Sequence, residues 1–309
     1  MHQPTVAWAA GLAAVGLLSA GVALASGQQF RSTTGIVRLP VIVTGKAGAV
    51  VQGLTREDFV VLEDGVPQQV EFFAEGAPGD ALPLRLGLLL DTSGSMERDL
   101  REAASAVIRF VDACAEASDV TFVDFDTTVQ LGRFSPPSFP MLFSRIRELK
   151  PGRMTALYDA LAVYLQSAAG RRGQHVLVLF SDGGDTASSI TYPRLQQMLR
   201  TSDVLIYAIG YLENQPSTSR IRQQMELRRI AQDTGGEAHF PTSTRAIDEA
   251  YGRILAEVTS RYTLGYVPRE PRGERFRRVE VRLSSADAHP GATVRTRAGY
   301  VAAGAAGRR

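Results

Sequence analysis

From Leu84 to about Tyr262 the chain alternates short, continuous apolar runs with longer stretches in which apolar residues recur every three or four positions. The continuous runs are Leu84 to Leu90, Val120 to Phe125, His175 to Phe180 and Val204 to Gly210. They read as strands covered on both faces, because a strand packed between two helical layers needs no polar alternation. The periodic stretches predict amphipathic helices. Leu100, Ala104, Val107, Ile108, Val111 and Cys114 share one face, and Ile247, Ala250, Tyr251, Ile254, Leu255 and Val258 share another in a last helix from roughly Thr244 to Arg261. Such alternation specifies a doubly wound, Rossmann-like α/β domain around a mainly parallel central sheet. Cys114, on the apolar stripe, is expected to be a small core residue.

The segments on either side follow a different pattern. Val37 to Val43 is β-rich, Thr44 to Gly48 is a turn, and the runs Phe59 to Leu62 and Val70 to Phe73 flank Glu63-Asp64-Gly65, whose Asp-Gly pair favours a tight hairpin. Ala74 to Leu82, rich in Gly, Pro and Ala, reads as a linker. After the α/β region RYTLGYVP, FRRVEVRL and VRTRAGYV are strand-like. Strand edges need partners, so the two flanks are expected to form one small β-sandwich-like unit into which the α/β domain is inserted. The resulting division is 1–25 leader, 26–82 β-rich flank and linker, 83–261 α/β domain, 262–302 second β-rich flank and 303–309 disordered tail.

Val6 to Ala25 contains no Asp, Glu, Lys or Arg and closes on Ala23-Leu24-Ala25 before Ser26. That pattern fits export, either by a cleaved signal peptide or by an uncleaved anchor just long enough to span a bilayer. The expected location is therefore secreted or periplasmic, or the inner membrane through residues 6–25. Over 309 residues, 44% are hydrophobic and 21% charged, which excludes a disordered, fibrous or multi-span chain. A net charge of +2 does not suggest nucleic-acid binding, and one cysteine excludes both a disulfide framework and a thiolate zinc cluster.

Candidate chemistry lies where the first of these strands ends. Leu84 to Leu90 runs into Asp91-Thr92-Ser93-Gly94-Ser95-Met96, and open α/β sheets bind ligands at the carboxyl ends of their strands. Asp91, Ser93 and Ser95 alternate along an extended turn, so three oxygen-bearing side chains can converge. Oxygen ligands with few carboxylates suit a hard cation that keeps some of its waters, Mg²⁺ first, with Mn²⁺ and Ca²⁺ as alternatives.

With these residues in view, the chain resembles a von Willebrand factor type A domain carrying a metal-ion-dependent adhesion site. The family's Asp-x-Ser-x-Ser is matched by Asp91, Ser93 and Ser95. Its threonine is matched by Thr155 in PGRMTALYDAL, and its last aspartate by Asp182 in VLVLFSDGGD. The flanks look like those of bacterial proteins related to this family, known especially from acidobacteria, and the inserted layout is similar to that of integrin β-subunits. The resemblance implies an adhesion or envelope-assembly module, not an enzyme, in which the metal draws an Asp or Glu carboxylate from a protein partner. It also implies that a last helix moving with the Thr155 and Asp182 loops reports occupancy. Arg153 and Met154 depart from the small residues that often precede the threonine. A guanidinium there would either weaken cation binding or recruit an acidic partner. Asp159 and Asp185 are read as surface or helix-start residues rather than as outer support for the metal.

Two rivals stand beside this reading. One is a metal-independent scaffold of the same fold. The other is a Mg²⁺-dependent phosphatase, since Asp124-Phe125-Asp126-Thr127-Thr128 matches the DxDx(T/V) pattern of haloacid-dehalogenase-like enzymes. That family needs a later lysine, and only Lys46 and Lys150 occur, so DFDTT reads more simply as a hairpin turn. No GxSxG, HExxH or phosphate-binding GxxxxGK(S/T) is present, and the C-terminal arginines read as a solvated strand face.

Overall fold

The computed structural model describes residues 36–76, 83–114, 117–213, 215–269, 276–285 and 289–301. The leader, most of the linker and the tail lie outside these residues. The strands are β1 (Val37–Thr44), β2 (Phe59–Glu63), β3 (Val66–Gln68), β4 (Phe72–Glu75), β5 (Leu84–Asp91), β6 (Ala117–Phe125), β7 (Val129–Phe134), β8 (Gln174–Phe180), β9 (Leu205–Ile209), β10 (Ala238–His239), β11 (Tyr262–Tyr266), β12 (Phe276–Leu283), β13 (Thr293–Arg295) and β14 (Gly299–Val301). The helices are α1 (Leu100–Ala113), α2 (Phe139–Arg147), α3 (Leu157–Ala168), α4 (Tyr192–Thr201), α5 (Ser217–Asp233) and α6 (Thr244–Ser260).

A six-stranded sheet in the order β10-β9-β8-β5-β6-β7 forms the centre, parallel except for the hairpin strand β7. Its two faces carry separate cores, which is why its strands are apolar throughout. Leu86, Leu88 and Leu90 of β5 point into one core with α1, α2 and α6, while Leu89 points into the other with α3, α4 and α5. Gly87 faces the Tyr164 ring so closely that a Cβ there would lie 2.3 Å from it, so this strand position admits no side chain. Helix α1 buries Leu100, Ala103, Ala104, Val107, Phe110 and Val111, and the Phe110 ring stacks on Tyr251 of α6 at 4.6 Å. Cys114 is the buried residue that caps α1.

The flanking strands interleave in two antiparallel sheets, β13-β1-β11-β4 and β14-β12-β2-β3, around a core that includes Leu39, Val41, Val61, Tyr262, Leu264 and Val281. Each sheet draws strands from both sides of the α/β region. Asp64 and Gly65, both at positive φ, make the tight turn expected after β2. The partner of β2, however, is the three-residue β3, not the run from Val70. That run supplies β4, which crosses to the other sheet and pairs with β11.

The C-terminal arginines are not a uniform solvated face. Arg278 and Arg282 point outward, whereas Arg277 is 2% exposed and pairs with buried Glu63, whose Oε2 also accepts the Tyr266 and Tyr300 hydroxyls at 2.7 and 2.8 Å. Arg295 pairs with Glu257 of α6 at 2.5 Å and Arg297 with Asp203 before β9 at 2.8 Å, so these two tie the flanking strands to the α/β domain.

Candidate metal centre

Strands β5 and β8 are parallel neighbours with Leu90 opposite Phe180, so Asp91 and the Ser181-Asp182 pair emerge side by side at the carboxyl edge. Strand order reverses here, since the chain leaves β5 for β6 on one side and later returns to β8 on the other. A crevice at such a reversal is where open α/β sheets place ligands.

Asp91 is 0% exposed and Asp182 2%. Asp91 Oδ1 accepts the Ser93 N–H at 2.9 Å, which bends the chain into the short 3-10 turn Gly94–Met96. The Ser93 and Ser95 hydroxyls then lie 3.1 Å apart, and the Ser95 side chain hydrogen-bonds Asp182. The threonine loop closes against this turn. Gly152 N–H donates to the Thr92 carbonyl at 2.6 Å, and a Cβ on Gly94 would sit 3.3 Å from the Gly152 and Arg153 carbonyls. Thr155 is buried there, its N–H donating to Thr186 Oγ1 at 2.9 Å and its carbonyl accepting the Thr186 and Ala187 amides. Four of the five predicted ligands thus form one chain of contacts, and Thr155 is fixed beside them through its backbone.

Burial first, and the neighbouring Asp182 carboxylate second, lift Asp91 to about 7, against the opposing hydrogen bonds from Ser181 and Ser93. Burial raises Asp182 as well. Two carboxylates sharing a dry corner repel, and a divalent cation between them relieves both the repulsion and the desolvation. The donors are carboxylate and hydroxyl oxygens, and among the described residues no three His, Cys, Asp or Glu gather into a cluster. The residues therefore fit a hard cation that keeps waters.

Two supporting residues were missed in the sequence. Ser181 Oγ donates to Asp91 Oδ2 at 2.6 Å and accepts the Gly183 N–H at 2.9 Å. Gln215 Nε2, from the connection between β9 and α5, donates to Asp182 Oδ2 at 2.7 Å. The place of Ser181 between strand end and aspartate was a readable signal, whereas nothing local marks Gln215. Asp185 accepts the Tyr158 amide at the start of α3, and Asp159 accepts the Ser189 and Ile190 amides, so both brace loops. In DFDTT, Asp124 is held by Arg145, and Asp126 closes the β6–β7 turn by accepting the Thr128 amide at 2.7 Å.

The chain belongs to the von Willebrand factor type A domain family, whose sequence profile matches residues 86–253, more than half of its length. Domains of this family generally bind protein partners and are typically non-enzymatic. No curated protein matches the chain. It is similar to a solved von Willebrand factor type A protein from Catenulispora acidiphila, with 14% identity and TM-score 0.49, over 88% of this chain and 75% of that one. An aerotolerance-related membrane protein from Bacteroides fragilis follows at 15% and 0.47, over 57% and 98% of the two chains. The vWF domain of the type V pili tip protein Mfa5 from Porphyromonas gingivalis gives 14% and 0.46, over 57% and 96%. At these identities and TM-scores none of them bears on what this chain binds.

Proposed function

We propose that this protein is an exported, metal-dependent protein-binding module, serving adhesion or assembly of an envelope complex. In this reading Asp91, Ser93, Ser95, Thr155 and Asp182 hold Mg²⁺, with Mn²⁺ or Ca²⁺ as alternatives, and a partner's Asp or Glu carboxylate binds there. One observation carries it: Asp91, Ser93 and Asp182 are buried together and the exposed Ser95 hydroxyl links Ser93 to Asp182, an arrangement that costs stability without a cation. A bound Mg²⁺, its charge only partly compensated by neutral hydroxyls, would supply attraction for an anionic oxygen.

The chain's own residues orient the site. Ser181 and the Ser93 amide fix the two oxygens of Asp91, and Gln215 fixes Asp182. A single residue, Arg261, separates helix α6 from β11, so a shift of the helix would reach the flanking strands directly. Export is supported by the uncharged apolar run 6–25, which lies outside the described residues. Among the described residues no helix is long and apolar enough to cross a membrane.

The test combines calorimetry with Mg²⁺ and Mn²⁺ and a pull-down from the organism's envelope extract. Metal uptake and partner capture should both disappear in Asp91→Ala, and capture should disappear in EDTA. Capture that survives both changes would replace the metal bridge by the scaffold reading.

A further inference from the structure

Beside the metal centre the starts of α3 and α4 and the stretch of α5 from Thr218 to Arg229 line a groove of about 540 Å³. Ile221 and Met225, one turn apart on α5, line it and are 67% and 53% exposed. The opposite face of that helix is already spent in the core through Leu227, Ile230 and Ala231. Tyr158 and Tyr192 form an aromatic wall with ring centroids 5.8 Å apart. Arg222 and Arg229 complete the rim, and the one carboxylate in the groove, Glu226, is taken up by the Tyr158 hydroxyl.

This groove is built from the same loops as the metal centre. Tyr158 follows Thr155 by three residues, and its amide is bound by Asp185, three residues after Asp182. Gln215, which holds Asp182, precedes α5 by two residues. Large apolar side chains presented together beside a polar site mark contact surfaces, and a buried aromatic anchor commonly carries much of an interface's energy.

We propose that the groove is the second half of the ligand site. It takes a large apolar or aromatic side chain adjacent to the metal-seeking carboxylate, both carried by an acidic segment of a partner protein. Charge selects this occupant. The groove's lining carries Arg222 and Arg229 against the single carboxylate Glu226, which the Tyr158 hydroxyl already engages, so an acidic segment is attracted, while a second copy would set one arginine-lined groove against another. The proposal rests on the metal-site reading for the carboxylate half only.

The test uses the full chain with Met and Ile methyl groups ¹³C-labelled, Mg²⁺ present, and three peptides: acetyl-Gly-Glu-Phe-Gly-amide, the same with Gly for Phe, and the same with Gln for Glu. The Phe peptide should bind about tenfold more tightly than its Gly counterpart, about 1.4 kcal/mol, and should shift the Ile221 and Met225 methyls. An Ile221→Ser, Met225→Ser double variant, altered only at exposed positions, should lose that tenfold and keep Mg²⁺-dependent binding of the Gly peptide. Mg²⁺-dependent binding of the Glu peptides without any Phe preference would overturn the groove and leave the metal reading standing. Methyl shifts by the Phe and Gln peptides alike, indifferent to EDTA, would do the reverse. Shifts that follow protein concentration, or phosphatidylglycerol vesicles in place of peptide, would overturn the acidic segment as occupant.

Discussion

Replacing Asp91 by Asn should make the metal-free protein more stable at pH 8 and leave it nearly unchanged at pH 4. The folded-state value of Asp91 is raised from 3.8 to about 7, chiefly by burial and then by Asp182. A raised carboxylate favours the protonated folded state, so the stability present below pH 4 is lost as pH rises through about 7. At about 1.36 kcal/mol per unit, the shift is worth on the order of 4 kcal/mol. Asn escapes this loss because it never ionises. Its oxygen can still accept the Ser93 N–H, and its amide can donate to Ser181 Oγ, which rotates to accept, so about 1 kcal/mol is expected to be given back through the weaker neutral hydrogen bonds. Urea denaturation followed by circular dichroism in EDTA, at pH 4, 6 and 8, measures the difference between the two proteins. A gain of roughly 2–4 kcal/mol confined to the higher pH is expected. A wild-type stability that is flat relative to the variant across this range would refute the electrostatic account of the centre. Added Mg²⁺ at about a hundred times its Kd should narrow the gap at pH 8 by about 2.7 kcal/mol, since only the wild type keeps the full site.

Other consequences follow from groups away from the centre. Glu63→Gln should cost about 3–5 kcal/mol, because it removes the buried carboxylate charge that faces the Arg277 guanidinium, whereas Glu63→Leu with Arg277→Met should recover much of that loss; equal urea midpoints for the two variants would refute it. His239, lowered to about 4 mainly by burial, should stay neutral in an NMR titration until well below its ordinary range. Its folded-state value is depressed, so stability present above pH 6.5 is lost as pH falls through about 4, by at most about 3 kcal/mol; a titration midpoint near 6.5 would rule this out.

Much of the α/β region was legible because its signals are local. Continuous apolar runs gave β5, β6, β8 and β9, and helical periodicity gave α1 and α6, since a strand buried on both faces and a helix buried on one leave different repeats. The Asp64-Gly65 turn was legible for the same reason, but not where the following strand goes. Val66–Gln68 and Phe72–Glu75 are separated by three residues and belong to different sheets, the first paired locally with β2 and the second with β11, some two hundred residues away. The side chains that orient the centre divide likewise. Asp91, Ser93 and Ser95 sit within one turn, whereas Gln215 reaches Asp182 across 33 positions.

By itself the sequence determined which segments become strands and helices, and which oxygen-bearing residues stand at strand ends, because backbone preference and burial periodicity act over a few neighbours. Only the tertiary structure decided that Asp91 and Asp182 share one dry corner, that Arg277 turns inward to Glu63 while Arg278 faces water, and that Ile221 and Met225 stay uncovered beside the site. Burial, repulsion and exposure are properties of groups brought together from distant parts of the chain, and no short window of sequence contains both members of such a pair.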